Sequence, residues 1–162
     1  MHPYELQISD EMNEIAGKDI YNNINYIYSL DSDKIEALIK LLLEYACWAT
    51  NHLLITISRN FLSAIDSKLL FNYVCDLASV CIDFNDEWEC RRFMELSKII
   101  SDEMLNWAIT QAKCSNNAEV IEATGHKMDS GRCQKCGYTE AIEILEKNND
   151  NFDYKVSWGC DL

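Results

Sequence analysis

Residues 35–57 read IEALIKLLLEYACWATNHLLITI. Ile35, Leu38, Ile39, Leu41, Leu42, Leu43, Tyr45, Ala46, Trp48, Leu53, Leu54, Ile55 and Ile57 are more apolar positions than one face of a helix holds. A surface helix shows a single apolar stripe, whereas a helix that is apolar on most sides is surrounded by other elements. The stretch therefore predicts one or two central helices with others packed around them. In the two-helix reading the break falls near Thr50-Asn51. The β-branched run Ile55-Thr56-Ile57 then depends on packing to stay helical. Lys40, Glu44, Asn51 and His52 interrupt the run, which therefore does not read as a membrane span of about 20 mostly apolar residues.

Helical signals continue on both sides. Upstream, residues 1–8 read as an extended lead-in and Ser9 as a helix cap. A helix over 10–28 then carries Met12, Ile15, Ile20, Ile24 and Ile27. Asp31-Ser32-Asp33 is a turn and cap for the central stretch. Downstream, Asp66-Ser67 restarts a helix with Leu70, Val74, Leu77 and Cys81 on one face. Asn85 or Asp86 caps the next one, which carries Trp88, Phe93, Leu96, Ile100, Met104 and Trp107. Ser101-Asp102-Glu103 splits it in two if it acts as a cap, and the segment ends around Cys114. Pro3 is the only proline, and four of the five glycines lie beyond residue 120. Breaker-poor sequence followed by glycine-rich sequence predicts a mainly α fold: a compact helical bundle over 1–117 with a small zinc-knuckle and β appendage over 118–162 packed on it. The appendage strand is expected where Phe152, Tyr154, Val156 and Trp158 alternate with polar residues.

Charge narrows the function classes. The 162 residues carry 27 acids and 14 bases, a net charge of -13. Direct nucleic-acid binding needs a cationic footprint, and anionic membranes repel such a chain. A basic protein surface attracts it, including one that normally holds nucleic acid. The N-terminus lacks the basic region and apolar run of a signal peptide, so the expected location is cytoplasmic. Cys47, Cys75 and Cys81 sit among apolar residues and read as buried small hydrophobes, with disulfides unexpected in a reducing compartment.

Residues 125–137 hold the one motif with chemistry in it. Cys133 and Cys136 have the spacing at which two thiolates reach one ion, and Gly137 eases the tight turn. His126 lies a short loop upstream, and Cys114 would complete a tetrahedral set of three thiolates and one imidazole, with Cys160 its competitor. The expected cofactor is one structural zinc held by Cys114, His126, Cys133 and Cys136. The other readings are two free thiols or a redox pair, but a redox pair normally sits between a strand and a helix. Gly-His-x-Met, a short loop and Cys-x-x-Cys-Gly resembles the small zinc knuckle of many short phage and prophage proteins. Those usually have an aromatic at the position of Met128 and a cysteine four residues before the histidine, where this chain has Glu122. The resemblance covers about 15 residues. It implies zinc at His126, Cys133 and Cys136 and a mobile-element origin, and it implies nothing about the helical body.

No His-Glu-x-x-His or deaminase-type pattern is present, so the zinc is expected to be structural and no catalytic residue is assigned. His52 reads as a core histidine. The expected function is that of a small acidic protein that binds a protein partner with a basic surface. One concrete version is a phage-encoded inhibitor of a host defence nuclease, acting in the host cytoplasm. The alternative is a zinc-dependent hydrolase or nucleic-acid-processing enzyme. A third reading is a purely helical enzyme or small-ligand binder that uses a pocket between helices, lined by Tyr45, Trp48 and His52.

Overall fold

The chain enters a helix almost at once. The computed structural model describes residues 2–125, and in it α1 spans Pro3–Ala16. The Tyr4 N–H donates to His2 Nδ1 at 3.3 Å, and the His2 N–H donates to Glu5 Oε2 at 3.2 Å. This reciprocal box satisfies two donors of the first turn, and Pro3 occupies the first helical position, where its missing N–H is no loss. The expected extended lead-in is thus helical, and Ser9 is a buried helical residue instead of a cap. The helix expected over 10–28 stops at Gly17, whose φ of +70° is left-handed. Glycine takes that conformation without a Cβ penalty, and its N–H closes on the Asn13 carbonyl at 2.9 Å. After a short loop, a 3-10 helix over Ile24–Ser29 buries Ile27.

Residues 35–57 fall in two helices. The first, α2, spans Ser32–Cys47 and packs against α1 and three later helices: α3 (His52–Ala64), α4 (Ser67–Cys81) and α5 (Glu87–Ile100). Its Leu38, Ile39, Leu42 and Leu43 are fully buried, and removing each from water is worth about 1.5–3 kcal/mol. The break falls at residues 48–51 because Asn51 offers a better cap than continued helix. Its Oδ1 accepts from the Leu53 N–H at 2.9 Å and the Leu54 N–H at 3.4 Å.

The same capping logic places the remaining starts. Asp66 Oδ1 accepts from the N–H groups of Lys68 and Leu69, and Asp86 Oδ1 accepts from the Glu89 N–H at 2.9 Å. Ser101 leaves the helical conformation and receives the Met104 N–H at 3.2 Å, which separates α5 from α6 (Asp102–Lys113). The last described helix is α7, Ala118–Gly125, packed on α5 and α6.

The described residues are all-α: seven α-helices and one 3-10 helix, with no strand among them. That corrects the expectation of a bundle carrying a β appendage. The alternating stretch at 152–158, from which the strand was read, lies outside the described residues. Two compact units divide the chain, Met1–His126 and Lys127–Leu162, and the second also lies outside them. No described helix is long and apolar enough to cross a membrane.

Two arginines tie α3 and the α2–α3 corner to α5. Arg92 Nη1 donates to the Cys47 carbonyl at 3.0 Å and the Ala49 carbonyl at 2.8 Å, groups that the end of α2 leaves without helical partners. Arg59 Nη2 donates to Glu95 Oε2 at 3.0 Å and to the Arg92 carbonyl at 3.3 Å. Next to Arg59, the Ser58 hydroxyl is fully buried and meets no hydrogen-bond partner among the described residues. An orphaned buried hydroxyl loses its water without compensation. Ser58→Ala is therefore expected to raise stability by up to about 1 kcal/mol, read as a higher urea midpoint with an unchanged slope.

Candidate functional site

The expected metal centre begins at Cys114, the one member of its ligand set within the described residues. Cys114 is an exposed residue at the C-terminal cap of α6. The chain beyond it is turned onto the loop before α5. Ser115 Oγ and the Asn116 N–H each approach Asn85 Oδ1 at 3.0 Å, and Asn117 Nδ2 donates to the Asn85 carbonyl at 2.9 Å. Among the described residues, amide groups gather there, not thiolates or imidazoles. Among the described residues, no group of three or more His, Cys, Asp or Glu side chains is placed to hold a metal ion. The expectation of a structural zinc, and with it the zinc-knuckle resemblance, is corrected on that finding. His126, Cys133, Cys136 and the competitor Cys160 lie outside the described residues. Burial pushes the Cys47 thiol up to about 12 and the Cys90 thiol up to about 11. Neither is poised as a thiolate nucleophile or metal ligand.

A concave feature lies elsewhere, where α1, α2 and the start of α3 meet. It is an open groove of about 500 Å³. Leu41 and Leu54 contribute apolar lining, Tyr4, Tyr45 and Trp48 contribute aromatic rings, and Glu11 and Glu44 contribute carboxylates. The pocket read from Tyr45, Trp48 and His52 is therefore present with two of those three residues. His52 opens α3 as an exposed residue and is not part of the lining, so it is not a core histidine either.

Each wall is held by a specific contact. Tyr45 donates its hydroxyl proton to Glu11 Oε2 at 2.8 Å and accepts from Gln7 Nε2 at 2.8 Å; Gln7 also donates to Glu11 Oε1 at 3.1 Å. Trp48 Nε1 donates to Glu89 Oε2 at 3.0 Å, and the same oxygen accepts the Asp83 N–H at 2.9 Å. Glu44 is half-buried, and its carboxylate enters none of the hydrogen bonds or ion pairs formed between described residues. Tyr4 escapes a reading that makes residues 1–8 extended. Pro3 at the first helical position, with Glu5 two residues on, is the signal that would have placed it on a helix.

Burial, the bond to Glu11 and the charge of Glu11 push Tyr45 up to about 12. A raised tyrosine pKa means that the neutral phenol is the form the fold favours. Its contribution is complete below about pH 10, the ordinary tyrosine value, and is lost as pH rises through the folded value. The stability difference between the wild type and Tyr45→Phe should therefore be constant from about pH 7 to 9 and shrink above about pH 10. Parallel urea titrations across that range measure it.

No protein-family model matches the chain, and no solved structure matches it. Short stretches are similar to curated asparagine–tRNA ligases. The ligase of Clostridium botulinum (strain Eklund 17B) is 51% identical over 43 residues, which is 26% of this chain and 9% of the ligase. That of Alkaliphilus oremlandii is 34% identical over 74 residues, 39% of this chain and 16% of the ligase. That of Treponema denticola is 34% identical over 77 residues, 43% of this chain and 16% of the ligase. The chain thus spans between 9% and 16% of the length of these three relatives.

Proposed function

We propose that the protein works by binding a protein partner that carries a basic surface, in the cytoplasm. The observation behind this reading is an asymmetry in how the body uses its charges. Five of its bases are engaged internally. Lys18 donates to Ser29 Oγ and lies over the Tyr26 ring, and Lys34 reaches the Ala16 carbonyl. Arg91 pairs with Glu87 over the Trp88 ring, and Arg59 and Arg92 form the ties to α5 described above. Several carboxylates instead accept from neutral donors: Glu5 from Tyr21, Glu11 from Tyr45, Asp19 from Asn22, Glu89 from Trp48. Such bonds orient a carboxylate without cancelling its charge. The chain's net charge is -13, and five bases of the helical body are held in contacts within it, which favours a basic partner.

Free thiols at Cys47, Cys75, Cys81, Cys90 and Cys114 suit a reducing compartment. A nucleic-acid-handling protein such as a defence nuclease, whose substrate channel is cationic, is a partner class that fits. Occupying that channel would make the protein an inhibitor. The zinc-hydrolase reading drew on the ligand set corrected above and is not carried forward, and neither is the phage origin inferred from the knuckle. The ligases are matched over too small a part of their length to lend this chain their activity.

The test is affinity capture from a cell lysate at about 0.1 M salt, repeated with a variant in which Glu11, Glu44 and Glu89 are changed to glutamine. A basic protein retained by the wild type and lost by the variant is the expected result. Retention of nothing at that salt would contradict the reading.

A further inference from the structure

We propose that the groove between α1, α2 and α3 is the seat for an arginine side chain presented by the partner. The inference rests on the partner-binding reading and adds the contact point and its chemistry. Three aromatic rings and two carboxylates share the lining, and no lysine, arginine or histidine is among its described residues. A guanidinium stacks flat on aromatic faces and offers a planar fork of N–H donors to a carboxylate. A lysine ammonium supplies the charge without the plane. The groove is already arranged for such a guest. Trp48, 48% exposed, is anchored through its indole N–H to Glu89, which leaves ring surface open. Tyr4 is 41% exposed beside it. Glu11 is held by Tyr45 and Gln7, so its position costs nothing more on binding.

Glu44 is the carboxylate on which the proposal turns. It is half-buried in the wall of the groove and makes no ion pair or hydrogen bond with any described residue. A half-buried carboxylate with no ion pair among the described residues has its charge available to meet an incoming cation. The groove is open on one side and within the range of about 300–1,000 Å³ typical of ligand sites. It therefore admits a side chain that remains attached to a polypeptide. Its neutral, aromatic and acidic lining disfavours a phosphate or carboxylate guest.

The test uses two probes of the same shape: a hexa-arginine peptide and its hexa-citrulline counterpart, in which each guanidinium is replaced by a neutral urea group. Binding is followed through the indole N–H signals in heteronuclear NMR of the full chain, with Trp48→Phe assigning the Trp48 signal. Hexa-arginine is expected to shift that signal and hexa-citrulline to leave it in place. Glu44→Gln should weaken hexa-arginine about tenfold, while Glu103→Gln, at the first turn of α6, should weaken it less than about twofold. Binding without movement of the Trp48 signal, or with equal effects of the two substitutions, would overturn the groove as the seat and leave the acidic-surface reading standing. Absence of binding at about 0.05 M salt would overturn both.

Discussion

Replacing Phe93 with alanine is expected to cost the helical body about 3–5 kcal/mol, the range for truncating a buried phenylalanine. Phe93 is fully buried and is the largest of the fully buried side chains among the described residues. It lies edge-on to two other rings: Phe84 at 5.8 Å between centroids and 90°, and Trp107 at 6.0 Å and 78°. Phe84 and Trp107 complete the triangle at 6.1 Å and 75°. The three rings come from the loop before α5, from α5 and from α6, so one side chain joins three consecutive segments. Truncation leaves a cavity that Phe84 and Trp107, each held elsewhere in the cluster, are poorly placed to fill, and it also removes two ring contacts worth about 0.5–1.5 kcal/mol each. Equilibrium urea unfolding measures the loss. A change under about 1 kcal/mol would mean that the triangle does not carry the α5–α6 junction.

Arg92→Ala is expected to cost about 2–3 kcal/mol and to weaken partner binding as well. The guanidinium supplies charge-assisted donors to the carbonyls of Cys47 and Ala49 at the α2–α3 corner. Without it, those carbonyls remain partly buried with nothing in their place. The corner they belong to also carries groove residues, since Trp48, Ala49, Thr50 and Asn51 all line it. One substitution at a residue outside the groove should therefore appear in two readouts, the urea midpoint and the affinity for a basic peptide. Arg92→Lys keeps the charge but not the fixed planar geometry and should recover only part of either. Loss of stability with affinity unchanged would separate the corner from the groove.

Legibility in the sequence followed the locality of the physics. Asp66 and Asp86 were readable as caps because a short side chain that meets a backbone N–H two or three residues on is a local event. Ser101 was readable only as an option, since the choice between one helix and two depends on what Phe93 and Trp107 pack against. The start of α1 was lost by giving weight to Ser9 over the box formed by His2, Pro3 and Glu5, and its end by reading through Gly17. The groove was half legible. Tyr45 and Trp48 belong to one helix and its cap, but Glu11 arrives from α1 across 34 residues, and no periodicity announces that. The zinc expectation extended a local spacing, Cys133 and Cys136, to a distant ligand. Cys114 instead closes α6 beside amide groups.

If negative surface charge drives recognition, affinity for the captured partner depends on salt. Raising salt from about 0.05 to 0.5 M shortens electrostatic screening from above about 10 Å to a few ångströms. The dissociation constant is expected to rise by about tenfold or more over that interval, mainly through slower association. A constant that stays the same across the interval would contradict the account and would place recognition on exposed apolar residues such as Trp88 and Val80 instead.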